Sequence, residues 1–351
     1  MEKSQQMEAK RKILVVDDHS GVRRMTATAL ESEGYVVIEA ATPAQALNIA
    51  SSNPIDAFLL DIKLEGASGI DICRTLRTFE QYKTTPILFL TGADLDRGIA
   101  AAYAAGCDDF ISKPMDIAVL RARLKSHLQR ADLFDRLQRT RRMLNRYVSR
   151  RTREIVEAAT ETGQIPPPAE RTVVILFTDI RRFTALSEEI PADLLFNLLS
   201  AQLAKQVDSI YSHGGYVDKF GGDGVMAVFD GENMIRQACL CALDIIEKTR
   251  NDSTINEKIR RIGIGIHTGR VVIGNIGSPE HLDYSVIGTA VNLAARLCGY
   301  AESMSIVVSQ EVRDAASGDA SFTFYSERQA TVRGLKTPVT IYSLSKNTTP
   351  P

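Results

Sequence analysis

Three carboxylates, Asp17, Asp18 and Asp61, stand at the ends of the apolar runs KILVVDD and DAFLLD. Two more, Asp179 and Asp223, close VVILFTD and sit within the glycine-rich tip of KFGGDGVM. Acids gathered at one end of a sheet repel each other, and the usual relief is a hard divalent cation held by oxygen ligands. Taken singly, each acid reads equally as a helix cap, and GGDG reads equally as a hairpin tip chosen for its backbone freedom. Beside the first cluster, Thr91 ends the run PILFLT, Lys113 precedes Pro114 at the end of CDDFISK, and Phe110 lies three residues before the lysine. A hydroxyl and an ammonium so placed can pair with anionic oxygens. In the second half, Asn292 and Arg296 are four apart in TAVNLAARL and project from one helix face. Amide plus guanidinium suits a sugar and a charged phosphorus centre, although an isolated pair also reads as a solvated helix face. The stretch IRRFT opens a helix at Phe183 and Thr184, and free N–H groups there suit a triphosphate.

The elements that must position these residues fall into two halves. The chain has 351 residues, formal charge −1, 44% hydrophobic and 24% charged residues and no Trp, which is ordinary globular usage and predicts two domains. Residues 12–119 alternate strands with helices in five βα units, the pattern of a doubly wound parallel sheet. Residues 171–345 join strands by both helices and hairpins, which predicts an α+β sheet with helices on one face. Residues 1–11 and 346–351 read as tails, and three consecutive prolines make 161–170 a junction that cannot remain helical. No apolar run approaches the roughly 20 residues of a membrane span, and the N-terminus lacks a signal-peptide core, so a cytoplasmic protein without membrane insertion is expected. Five cysteines without a C-x-x-C pair predict buried, reduced thiols.

Residues 120–160 read as a helical linker. Between Leu120 and Arg153 lie twelve Lys/Arg against Asp132 and Asp135, a local excess of ten positive charges, so the remainder of the chain carries −11. Leu120, Leu124, Ala131, Phe134, Leu137, Leu144 and Val148 form an apolar stripe at helical spacing, broken by Arg141. A coiled-coil pairing with a second copy fits, and a single solvated helix is the alternative. Near-neutral net charge argues against nucleic acid as partner.

With Thr91, Phe110 and Lys113 added to the acid cluster, residues 12–119 resemble a two-component response-regulator receiver domain of flavodoxin-like fold. The resemblance implies Asp61 as phosphoacceptor, Asp17, Asp18 and Asp61 around Mg2+, Thr91 and Lys113 contacting the phosphoryl group, and Phe110 as switch aromatic. It also implies a histidine kinase or phosphotransfer protein as donor. Gly69 falls eight residues after Asp61, as in the family, whereas Glu65 stands where proline is common.

The blocks FTDIRRFT, DKFGGDGVMAVF, IGIHTG and DYSVIGTAVNLAARL together resemble the class III nucleotidyl cyclase catalytic domain, a ferredoxin-like fold. That resemblance implies Asp179 and Asp223 as ligands of two Mg2+ or Mn2+ ions, Lys219 and Ser285 at the purine, Asn292 at the ribose and Arg296 at the α-phosphorus. Phe183, Thr184 and Arg333 are candidates for the triphosphate. Lys219 favours ATP, since guanine would call for an acceptor, and Ser285 places the chain with the Lys/Ser or Lys/Thr subclass that includes bicarbonate-responsive members. The family divides each site between two subunits, so the resemblance implies a homodimer making cyclic AMP and pyrophosphate under control of Asp61. Two alternatives stay open: a receiver-gated diguanylate cyclase, against which Gly224 and Val225 replace the Glu-Phe of GGDEF, and a catalytically silent, phosphorylation-dependent dimerisation module.

Overall fold

The computed structural model describes residues 10–92, 99–252, 259–278, 280–332 and 337–347, and the chain divides into two compact units, residues 1–143 and 144–351. In the first unit the order is β1 (Lys12–Val16), α1 (Ser20–Glu31), β2 (Val36–Ala40), α2 (Pro43–Ser52) and β3 (Ala57–Asp61). A small antiparallel pair follows, β4 (Lys63–Leu64) with β5 (Ala67–Ser68), then α3 (Gly69–Thr78), β6 (Ile87–Thr91), α4 (Ile99–Ala104), β7 (Asp109–Ser112) and α5 (Ile117–Leu144). The five main strands form a parallel sheet in the order β2-β1-β3-β6-β7. Their apolar runs are continuous because both faces are covered. Leu14, Val16, Phe58, Leu60 and Phe89 face α2, α3 and α4, while Ile13, Val15, Leu59, Leu88 and Leu90 face α1 and α5. This is the doubly wound sheet expected, and it lines up the C-terminal ends of β1, β3, β6 and β7.

The linker differs from expectation at its start and in its middle. Leu120 and Leu124 do not start a pairing stripe; with Leu128 they are buried against Ile13, Val15 and Ile111 as part of the first unit's core. Helical spacing alone cannot tell a stripe that meets its own sheet from one that meets another chain. Further along, Leu133, Phe134, Leu137 and Leu144 are exposed. The helix then stops, the chain turns through residues 145–149, and α6 (Arg150–Thr162) begins afresh. Ser149 Oγ caps it by accepting from Thr152 N at 3.1 Å, and Gly163, at φ 71°, closes it.

The second unit continues with β8 (Ala169–Ile180), α7 (Phe183–Glu189), α8 (Ala192–Ser212), β9 (Tyr216–Phe220), β10 (Val225–Phe229) and α9 (Met234–Asn251). Then come β11 (Ile262–Ser278), β12 (His281–Ile287), α10 (Thr289–Tyr300), β13 (Ser305–Ser309), α11 (Gln310–Ala316), β14 (Phe322–Ala330) and β15 (Val339–Lys346). The sheet runs β14-β15-β13-β11-β8-β10-β9, with β12 paired to β11 as a hairpin. Alternation along β8 divides the core. Val174 and Leu176 meet α8, α9 and α11, whereas Val173 and Ile175 meet Ala290 and Ala294 of α10 on the opposite face. The expectation of helices on one face is therefore corrected: α10 covers the other. Both α11 and β14 escaped the sequence reading, the first because seven residues carry little periodicity and the second because most of its residues are exposed.

All five cysteines are buried and free. Burial raises Cys73 to about 11 and Cys107 to about 12, so these thiols are unreactive at neutral pH. Among the described residues, no helix is long and apolar enough to cross a membrane.

Candidate functional site

The parallel sheet carries Asp17 just beyond β1, Asp61 at the end of β3, Thr91 at the end of β6 and Lys113 just beyond β7. The Lys113 ammonium donates to Asp17 Oδ2 at 2.8 Å and to Asp61 Oδ2 at 2.7 Å. Burial lowers the affinity of Lys113 for its proton, but its bonds to Asp17 and Asp61 outweigh that effect and hold its pKa above the usual value. Asp18 accepts from the Glu65 N–H at 2.9 Å and approaches His19 Nδ1 at 3.0 Å, and that histidine contact is the main reason its pKa is lowered. Ligand atoms of Asp17, Asp18 and His19 all lie within 4.8 Å of one another. Carboxylate oxygens so grouped fit a hard cation such as Mg2+, with Asp61 tied to the group through Lys113. Thr91 is brought to the same edge, with its hydroxyl donating to Gly92 O at 3.1 Å. Phe110 lies inward, stacked on Phe89 with ring centroids 5.9 Å apart. Gly69 is explained by proximity: a Cβ there would fall 2.0 Å from Asp61 O.

In the second unit Asp179 and Asp223 come together although they are distant in sequence. Asp223 Oδ2 accepts from Ile180 N at 3.2 Å. Desolvation, then the hydrogen bond and charge of Asp179, push Asp223 up to about 6. Arg181 also pairs directly with Asp179. Two oxygen-donor side chains forced to share a site fit a divalent cation, whose charge would relieve their repulsion. The hairpin is held by a buried network in which the Thr178 hydroxyl donates to Gln206 Oε1 at 2.6 Å and accepts from Val225 N at 3.0 Å. Tethering β8 to α8 and β10 in this way fixes the strands on either side of the acids.

Lys219 on β9 and Ser285 on β12 also meet, with Nζ donating to Oγ at 2.8 Å. Asp218 completes the group: its Oδ2 accepts from Ser285 Oγ at 3.3 Å and lies 3.3 Å from Lys219 Nζ. Asn292 and Arg296 are exposed on α10 and line an open groove of about 550 Å³ with Ala295, Gly299, Tyr300, Thr331 and Val332. Among the described residues neither side chain makes a hydrogen bond or ion pair, so both polar groups are free to meet a ligand. Phe183 packs against the core through its ring, and Thr184 is exposed at the start of α7. Arg333 lies outside the described residues. The reading from sequence missed Asp218, Arg181 and His19. Each is a charged neighbour of a chosen residue, and that adjacency was the available signal.

A family model for the response regulator receiver domain matches residues 13–125, and one for the adenylate and guanylate cyclase catalytic domain matches residues 165–346. The chain belongs to the adenylate and guanylate cyclase family and carries a receiver domain ahead of the cyclase domain. An adenylate cyclase of Anabaena cylindrica is 28% identical over 316 residues, covering 85% of this chain and 61% of that protein. A transcriptional regulatory protein of Bacillus subtilis, YvrH, is 36% identical over 119 residues, 34% of this chain and 49% of its own length. A solved bacterial light-regulated adenylyl cyclase, 23% identical, shares the fold with a TM-score of 0.52 over 67% of each chain. The chain thus spans less than two thirds of the length of these two curated relatives.

Proposed function

We propose that the chain is a phosphorylation-regulated adenylate cyclase, converting ATP to 3′,5′-cyclic AMP and pyrophosphate at sites formed between two copies in the cytoplasm. The observation that carries this reading is the 2.8 Å contact of Lys219 with Ser285, in the same unit that sets Asp179 against Asp223. Lys219 donates to a ring nitrogen of adenine and Ser285 accepts from its 6-amino group. Asn292 orients the ribose so that its 3′-hydroxyl faces the α-phosphorus, and Arg296 meets the charge that develops there during in-line displacement. The N–H groups at Phe183 and Thr184 face the triphosphate, and Arg333, outside the described residues, is a candidate for the same group. Two Mg2+ or Mn2+ ions held by Asp179 and Asp223 would favour the alkoxide and steady the departing pyrophosphate.

Two features support a homodimer. Among the described residues Asn292 and Arg296 have no polar partner, and they line an open groove, as half of a site would. Exposed Phe220, Ile276, Leu282 and Ile287 on β9, β11 and β12 leave apolar surface for a partner. Control would start at Asp61, phosphorylated by a histidine kinase or phosphotransfer protein with Mg2+ held by Asp17, Asp18 and Asp61. The new phosphoryl charge competes for Lys113 and Thr91, and Phe110 follows Thr91. The exposed part of α5 then carries the change by pairing with its copy. Purified protein given Mg-ATP or Mn-ATP is expected to release 3′,5′-cyclic AMP. No cyclic product from ATP or GTP, or a cyclic dinucleotide from GTP, would contradict the reading.

A further inference from the structure

A serine hydroxyl has one proton to give and two lone pairs. It can therefore accept from the 6-amino group of adenine or donate to the 6-oxo group of guanine, and by itself it does not choose. The lysine favours adenine only by lacking an acceptor for the guanine N1–H and 2-amino group, and its ammonium can still donate to the guanine oxo group. In this chain the Ser285 proton is committed. Its Oγ donates to Asp218 Oδ2 at 3.3 Å while accepting from Lys219 Nζ at 2.8 Å. The Asp218 side chain is only 2% exposed, so it is shielded from bulk water and its place beside Ser285 is fixed.

We infer that Asp218 sets the purine preference by holding the Ser285 hydroxyl as an acceptor toward the base. With its proton on Asp218, Ser285 offers an incoming base only lone pairs, which match the amino group of adenine and repel the oxo group of guanine. Lys219 Nζ takes a Ser285 lone pair at 2.8 Å, whereas Asp218 need not touch the nucleotide. It is a positioning residue. Burial pushes the Asp218 carboxyl upward, and the Lys219 charge with the Lys219 and Ser285 hydrogen bonds offsets this only in part; the contact with Ser285 Oγ rests on the geometry.

This inference rests on the adenylate cyclase reading, and the experiment separates the two. In full-length protein, Asp218→Asn removes the carboxylate charge and leaves one carbonyl acceptor beside an NH2 that can itself donate to Ser285 Oγ, so the hydroxyl proton is no longer pinned and can turn to guanine. The measurements are kcat/KM for ATP and GTP, and their displacement of a bound fluorescent nucleotide. The ATP:GTP ratio is expected to fall by about tenfold or more, with GTP use itself rising. Ser285→Ala is expected to lower the ratio as well, and adding Asp218→Asn to it should change the ratio no further. A purely structural role would depress both nucleotides together. An unchanged ratio in Asp218→Asn, or an unchanged ratio in Ser285→Ala should the first variant not fold, overturns the assignment to Asp218 alone. A wild-type protein that neither binds ATP in preference to GTP nor makes cyclic AMP takes down the underlying reading and this inference with it.

Discussion

A Cβ on Gly224 would fall 1.9 Å from the carbonyl oxygen of Thr178. This glycine is therefore required by the approach of β10 to β8 beside Asp179, and that approach carries Asp223 to its partner. Gly224→Ala must push the strands apart. Overpacking of this kind costs about 1–3 kcal/mol, which for a domain of this size lowers the melting temperature by about 3–10 °C. Cyclase activity should fall with it, beyond what lost stability explains, because the acids separate. Thermal unfolding alongside the activity assay checks both, and a variant with wild-type values in each would contradict the packing argument.

Arg182 sits at φ 63° and ψ 30°, left-handed backbone in a residue with a Cβ. That conformation costs a non-glycine residue roughly 1–2 kcal/mol, part of which glycine returns as greater freedom of the unfolded chain. Arg182→Gly should thus raise the melting temperature by about 1–4 °C. A lower melting temperature would mean that the exposed guanidinium contributes more than the backbone strain costs.

His267 is buried, with Nδ1 2.8 Å from Ser309 Oγ. Burial lowers its pKa, and Glu311 only partly offsets this. The unfolded chain takes up the proton near its ordinary pKa of about 6.5, before the native state does. The stabilising contribution is complete above that pH and is lost as pH falls below it. Replacing it by Gln should narrow the difference between melting temperatures at pH 7.5 and 5.5. An equal or wider difference would show that His267 is not kept neutral.

Regulation gives a fourth expectation. With a small-molecule phosphoryl donor and Mg2+, the cyclase rate of the wild-type protein should change by about fivefold or more, the range of ordinary coupling between sites. Asp61→Asn should not respond. Identical behaviour of the two proteins, with phosphorylation verified by mass, would remove Asp61 from control of the second unit.

Much of this was legible from residue order. Strands buried on both faces, such as Ile13–Val16 and Ala57–Leu60, announce themselves as unbroken apolar runs, and acids at their ends mark the pocket. What stayed hidden depends on contacts between distant segments. GGDG was ambiguous because the reason for Gly224 lies at Thr178, on another strand. Asp218 looked like any acid before a lysine until β12 brought Ser285 to it. Leu120 and Leu124 fitted a pairing helix as well as they fit the sheet they cover, because a helical period says which face is apolar and not what it meets.

In the proposed dimer each site draws Asp223 from one copy and Arg296 from the other, so two variants inactive by themselves should complement each other when mixed. Asp223→Ala and Arg296→Ala chains should each be inactive alone. Combined and allowed to exchange, they should recover about a quarter of wild-type activity, since half of randomly formed dimers are mixed and each of those holds one intact site of two. No recovery, with mixed dimers present, would contradict a site shared between subunits.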